Sequence, residues 1–217
     1  MSFYSPSNSK FTRHYREEVE MVFSGIDCVL HREHVIYCSS ELTSGLRLYQ
    51  ELRQQGLKTA SELRKRMGDA WFQSNLLDLN KEAAIRFAED VRHRFHDRTI
   101  VVTPAPFSAS GWNQDEYLAF WELLLRARIK AVWFNHNWAY SNGCTFEFAV
   151  AQDAGLPTLD QAGQPLAREE GIQLIVNAIA RLQQDGFDTA KLEQNLHRAH
   201  SARVHDEHFD LEAFPAQ

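Results

Sequence analysis

Ser141-Asn-Gly-Cys-Thr-Phe-Glu147 sets a hydroxyl, a glycine and a carboxylate in close succession, a few residues after the apolar run 130–134. The stretch from Trp138 to Glu147 reads as the end of a buried strand, a polar turn, and the first turns of a helix that carries a carboxylate. In an open α/β sheet, ligands bind outside the carboxyl ends of the strands, where such turns sit. Amide groups at a helix N-terminus attract anions. Ser141 and Gly143 could therefore hold an anionic group while Glu147 is aimed at it. The plainer reading stays open beside this one: Ser-Asn-Gly is ordinary turn chemistry, and a carboxylate near a helix N-terminus is favoured by about 0.3–1 kcal/mol in any case.

Other residues invite chemistry less strongly. Asp115 precedes an aromatic helix containing Tyr117, Phe120 and Trp121, and taken by itself reads as an N-terminal helix charge on a helix whose aromatic face is core. Ser39, Ser40, Thr43 and Ser44 form a hydroxyl-rich turn that suits a phosphate or ribose cradle as well as a simple loop. Cys144 lies near a helix start, which lowers thiol pKa values, but no histidine partner can be placed beside it. Among the ten histidines, His197, His200, His205 and His208 are the closest to a metal pattern. No HExxH motif or paired Cys/His spacing accompanies them, so no metal is expected. Dinucleotide-binding, P-loop and nucleophile-elbow motifs are absent, and no cofactor is expected.

These residues need elements to position them. Residues 35–38, 99–103, 131–135 and 156–159 are short β-branched and aromatic runs that predict strands. Helical spacing predicts helices over 46–55, 59–67, 81–95, 115–128, 145–154, 168–184 and 189–200, with Gly56 and Gly155 as stop signals. Residues 16–34 and 68–80 resist assignment, and residues 1–15 read as a loosely held arm. Strands alternating with amphipathic helices predict an α/β fold, a Rossmann-like or flavodoxin-like open parallel sheet with helices on both faces and extra C-terminal helices. Right-handed crossovers then bring the loops after Cys38, Thr103 and Asn135 to one edge.

Composition sets outer bounds. A chain of 217 residues that is 44% hydrophobic can bury a full core. Its net charge of -6 gives no electrostatic reason to bind nucleic acid. Three cysteines without a CxxC pair suit a reduced compartment. Neither a secretory leader nor a membrane-length apolar run is apparent, so a cytoplasmic protein without membrane association is expected.

The strand, turn and helix carrying Ser141, Gly143 and Glu147, followed by Ala149 and Gly155-Leu-Pro157, resemble the nucleoside 2-deoxyribosyltransferase-like superfamily. That superfamily includes nucleoside deoxyribosyltransferases and deoxynucleoside 5′-monophosphate N-glycosidases. Residues 37–45 fit its substrate-binding opening, and Asp115 matches an acidic residue at the start of the helix before the signature strand. The likeness spans about 35–166 and implies an N-terminal extension (1–34), an α/β domain (35–166) and a C-terminal helical extension (167–217).

The resemblance implies cleavage or transfer at an N-glycosidic bond of a nucleoside or nucleotide. Glu147 would attack C1′ and form a covalent glycosyl-enzyme, while Asp115 would serve the leaving base as acid and then base. Ser141, with Ser39 or Ser40, would bind a 5′-hydroxyl or phosphate, and Gly143 would permit close approach. Tyr37, Trp112 or Trp138 would stack on the base, and a homo-oligomer is expected. The alternatives are a non-catalytic nucleotide-binding or sensing domain, or an interaction protein on the same fold.

Overall fold

The computed structural model describes residues 11–30, 34–95 and 99–203, with side chains from residue 17 onward. Four strands form one parallel sheet: β1 (His34–Ser39), β2 (Thr99–Val102), β3 (Ile129–Phe134) and β4 (Thr158–Leu159). Their spatial order is β2-β1-β3-β4, with every pairing parallel. The chain steps outward from β1 to β2 and then returns across β1 to β3. The direction of winding therefore reverses between β1 and β3, which creates the crevice where open α/β sheets bind ligands.

The expected α/β open sheet is thus the observed fold, and its helices follow closely. They are α1 (Phe11–Leu30), α2 (Leu46–Gln55), α3 (Ala60–Met67), α4 (Asp69–Phe72), α5 (Asp78–Arg92), α6 (Gln114–Arg128), α7 (Asn142–Ala154), α8 (Arg168–Gln184) and α9 (Ala190–Ser201). Two stretches that resisted assignment are helical. Residues 16–30 belong to α1, where Val19, Val22, Phe23, Ile26 and Leu30 join the core at i, i+3, i+4, i+7 and i+11. Ser24 and Gly25 interrupt that period by composition without breaking it. Residues 68–80 run through α4, a π turn at Gln73–Leu77, and the start of α5. The expected arm over 1–15 falls mostly outside the described residues, and helix is already present at Phe11.

Alternation along the strands divides the core. Val35, Tyr37, Val132 and Phe134 face a large cluster shared with α1, α2, α6, α7, α8 and α9. Ile36, Cys38, Val101, Ala131 and Trp133 face Phe87, Ala88 and Val91 of α5. A register shift between Val35 and Ile36 pairs them with Ile129 and Ala131, skipping Lys130. The extra residue turns Ile129 into the larger cluster and leaves Lys130 exposed. Residues of the terminal segments, such as Val19, Leu30, Ile175 and Leu192, are buried in the same cluster as the central sheet.

No helix among the described residues is long and apolar enough to cross a membrane.

Candidate active site

Glu147 lies in the second turn of α7, on the face turned to the sheet, and is 5% exposed. The helix starts where it does because Ser141 caps it: the Ser141 hydroxyl accepts from the Cys144 amide at 3.4 Å. Gly155, in left-handed conformation, closes the other end. This framing points the Glu147 carboxylate at the carboxyl end of β1. There the Tyr37 hydroxyl donates to one carboxylate oxygen at 2.7 Å, and the Ser39 hydroxyl donates to the other at 2.6 Å. Tyr37 and Ser39 are two apart on β1, so both side chains project from the same face.

Burial lifts the Glu147 carboxyl from 4.5 to about 7, although the Ser39 and Tyr37 hydroxyls pull the other way. Desolvation disfavours the charge, while hydrogen bonds from donors favour it. The carboxyl group is therefore poised between its two forms near neutral pH. Among the described residues its carboxylate is bonded to hydroxyls and to no cation, unlike a structural buried ion pair. Two oxygens that accept one hydroxyl each keep further lone pairs for a third group. Tyr37 pays back in the opposite sense: burial and the neighbouring carboxylate push its phenol well above the ordinary value, so it remains a donor.

The surrounding turns meet as the crossovers predict. The Ser44 hydroxyl accepts from the Asn142 amide at 3.0 Å and lies 3.5 Å from the Ser141 hydroxyl. Asn135 donates its amide to the Ser39 carbonyl at 3.0 Å, extending the β1–β3 contact to the crevice. The loop after β2 reaches the same edge through aromatic rings: Phe107 packs on Trp121 at 5.3 Å between centroids, and Trp121 packs on Tyr37 at 5.8 Å. Ser40 is 7% exposed, and its hydroxyl is buried without a hydrogen-bond partner among the described residues. An unsatisfied buried hydroxyl costs about 1–3 kcal/mol, so its presence at this edge needs a reason that the fold alone does not supply.

Several expected roles take another form. Tyr37 is fully buried, so its ring cannot stack on a base; its contribution is the hydroxyl on Glu147. Trp138 is also core, wedged between Phe134 and Phe148 at 4.6 and 4.9 Å. Trp112 is half-buried in a cluster with Phe107, Tyr117 and Phe120 and keeps part of its surface open. Gly143 does not have a positive φ, and a Cβ there would meet only the Ser141 hydroxyl at 3.8 Å. Nothing inside the fold requires that glycine.

Asp115 stands apart. It is exposed in the first turn of α6, where its amide donates to the Asn113 side chain at 2.8 Å. Among the described residues, no hydrogen bond joins its carboxylate to Glu147 or to the serine turns. Its neighbour Glu116 is the buried one, and closes a capping box with Asn113. Cys144 is buried between Ser141 and Ser39, and desolvation together with Glu147 pushes its thiol far up; a reactive thiolate would need the reverse. Among the described residues, no three His, Cys, Asp or Glu side chains are grouped to hold a metal. His205 and His208 lie outside the described residues.

Two contributors escaped sequence reasoning. Asn195 of α9 donates at 2.9 Å to both the Asn142 carbonyl and the Thr145 hydroxyl, which fastens the C-terminal helix to the first turn of α7. A single Asn on an amphipathic helix carries no sequence signal for this. Glu41 is the other: a carboxylate among serines, in the turn directly after β1, accepting from the Leu46 amide at 2.6 Å. Its position beside Ser39 and Ser40 was the available signal.

A shallow surface cleft between α2 and α8, lined by Arg53, Asn177, Arg181 and Asp185, is a separate feature on other elements. No protein-family model, curated protein or solved structure matches this chain.

Proposed function

We propose that this chain cleaves or transfers the N-glycosidic bond of a nucleoside or nucleotide, with Glu147 as nucleophile. The observation that carries this reading is the buried Glu147 carboxylate, held by two hydroxyls at the crevice between β1 and β3. In its ionised form it attacks C1′ as the bond to the base breaks, giving a glycosyl ester; water or a second base then displaces the ester. Tyr37 and Ser39 favour the ionised form and fix which lone pairs face the sugar. They also stabilise the carboxylate as it leaves in the second step. Ser141 and Ser44, with the first amides of α7, suit the oxygen-rich end of the substrate. Gly143, which the fold itself does not require, leaves room for it.

The test is incubation with a panel of nucleosides and 5′-monophosphates, with free base resolved by chromatography. Wild-type protein should release base from at least one, and Glu147→Gln should release none while binding the same compound. Undiminished turnover by Glu147→Gln would eliminate the nucleophile.

A second reading, nucleotide binding without turnover, is favoured by the exposed position of Asp115, which leaves the expected acid away from Glu147. It predicts a ligand-induced rise in Tm with no base released by the wild type.

A further inference from the structure

We infer that Glu41 is the second carboxyl group of this site, the one that exchanges a proton with the leaving base; the inference rests on the reading of Glu147 as nucleophile. The turn that carries Glu41 is built around its carboxyl group. One oxygen accepts from the Leu46 amide at the start of α2. Gly45, at φ 144, is folded so closely over the side chain that a Cβ there would sit 1.6 Å from that same oxygen. Only glycine permits that approach in that backbone conformation.

The turn is also held against the nucleophile's helix. Ser44 accepts the Asn142 amide, and from the opposite side Asn80 of α5 donates to the Leu42 carbonyl at 2.9 Å. Ser39, two residues before Glu41, is bonded to Glu147 itself. Cys144, one turn before Glu147 on α7, is influenced electrostatically by both carboxyl groups. Glu41 thus sits in a turn that is fastened to the N-terminus of the helix carrying Glu147 and that follows directly on a strand residue bonded to Glu147. Among the described residues, no hydrogen bond ties the Asp115 carboxylate to either.

Their surroundings suit different tasks. Glu147 receives two hydroxyl donors, which prepare a carboxylate to attack. Glu41 has a single backbone donor and lies in a half-buried position. Burial holds its carboxyl at about 7, against the lowering effects of the Leu46 amide and the Arg47 charge. The Arg47 charge on α2 and the Cys144 thiol on α7 are close enough to interact with it electrostatically. A carboxyl group that retains its proton near neutrality can donate it.

The steps balance without any further reagent. Glu147 forms a bond to C1′ as the C1′–N bond breaks, the electron pair goes to the base nitrogen, and Glu41 supplies the proton that neutralises it. Glu41, now a carboxylate, takes a proton from water as the water oxygen bonds to C1′. The ester bond to Glu147 breaks with its electron pair, restoring both acids.

The test compares Glu41→Gln, Glu41→Asp, Asp115→Asn and Glu147→Gln on two substrates of the same sugar. One carries an ordinary base; the other carries a nitrophenyl group, whose phenolate departs without a proton. Glu41→Gln should lose roughly 10²–10⁴-fold on the ordinary base, stay within about tenfold on the nitrophenyl glycoside, and lose the alkaline limb of its pH profile. Glu41→Asp, which keeps the carboxyl group, should recover part of the ordinary-base rate. Glu147→Gln should fail on both. Equal losses on the two substrates for Glu41→Gln and Glu41→Asp, or the selective loss appearing in Asp115→Asn instead, would overturn the role of Glu41 and leave Glu147 untouched. No release from either substrate by the wild type would overturn the glycosidase reading, and this inference with it.

Discussion

Replacing Glu147 by glutamine should make the protein more stable above neutrality, and by an amount that depends on pH. In the folded chain the carboxyl holds its proton up to about pH 7, against an ordinary value of 4.5. A proton bound more tightly in the folded than in the unfolded state contributes stability in full below the unfolded value. That stability is lost as pH rises through the folded one. At about 1.4 kcal/mol per tenfold change in proton affinity, the loss amounts to about 3 kcal/mol between about pH 4.5 and pH 8.

Glutamine stays neutral throughout. Its carbonyl can still accept from one of the two hydroxyls, while the other hydroxyl must turn to accept from the amide, at a cost of about 1 kcal/mol. The variant should therefore start close to the wild type at about pH 5 and gain on it by about 3 kcal/mol by about pH 8. For a chain of this length that is a relative rise in Tm of about 6–12 °C. Glu41, raised to about 7 as well, leaves a declining slope in both proteins. Only the difference between them reports Glu147. Calorimetric or urea unfolding across that range is the assay. Parallel curves for the two proteins would refute the reasoning, because they would mean that this carboxyl titrates alike folded and unfolded.

Three further outcomes follow from the same geometry. Tyr37→Phe removes one of two donors from the buried carboxylate. It should cost about 1.5–3 kcal/mol above neutrality and little at about pH 5, and move the acid limb of any pH–rate profile up by roughly one to two units; unfolding and rate profiles over pH decide it. Gly45→Ala forces a Cβ onto the Glu41 carboxylate at a positive φ, and should destabilise by about 1–3 kcal/mol, read as a lower urea midpoint with unchanged slope. Asn195→Ala abolishes the two bonds that tie α9 to the first turn of α7. It should cost about 1–3 kcal/mol and speed hydrogen exchange at the Cys144 and Thr145 amides more than at the β1 amides.

Local pattern was sufficient for most elements. Short β-branched runs bounded by polar turns announced β1, β2 and β3, and 3.6-residue spacing announced α2, α3, α6, α8 and α9 within a residue or two of their ends. It was insufficient for α1, where Ser24 and Gly25 obscure a regular apolar stripe, and for the π turn at Gln73–Leu77, whose extra residue shifts the period. The turn around Glu147 was legible because its cap, glycine and carboxylate are neighbours in the chain.

What the amino-acid sequence by itself determined is therefore the alternation of strands and helices, the parallel sheet that this alternation forces, and one acidic residue at a strand-end turn. What only the tertiary structure decided is the company that residue keeps. Tyr37 and Ser39 meet Glu147 across more than a hundred residues, Asn195 reaches α7 from the far end of the chain, and Glu41 rather than Asp115 is folded into the adjoining turn. The physical reason is that hydrogen bonds and burial depend on where a crossover delivers a side chain. Sequence period sets which way that side chain faces on its own element, and leaves open which distant group it will find there.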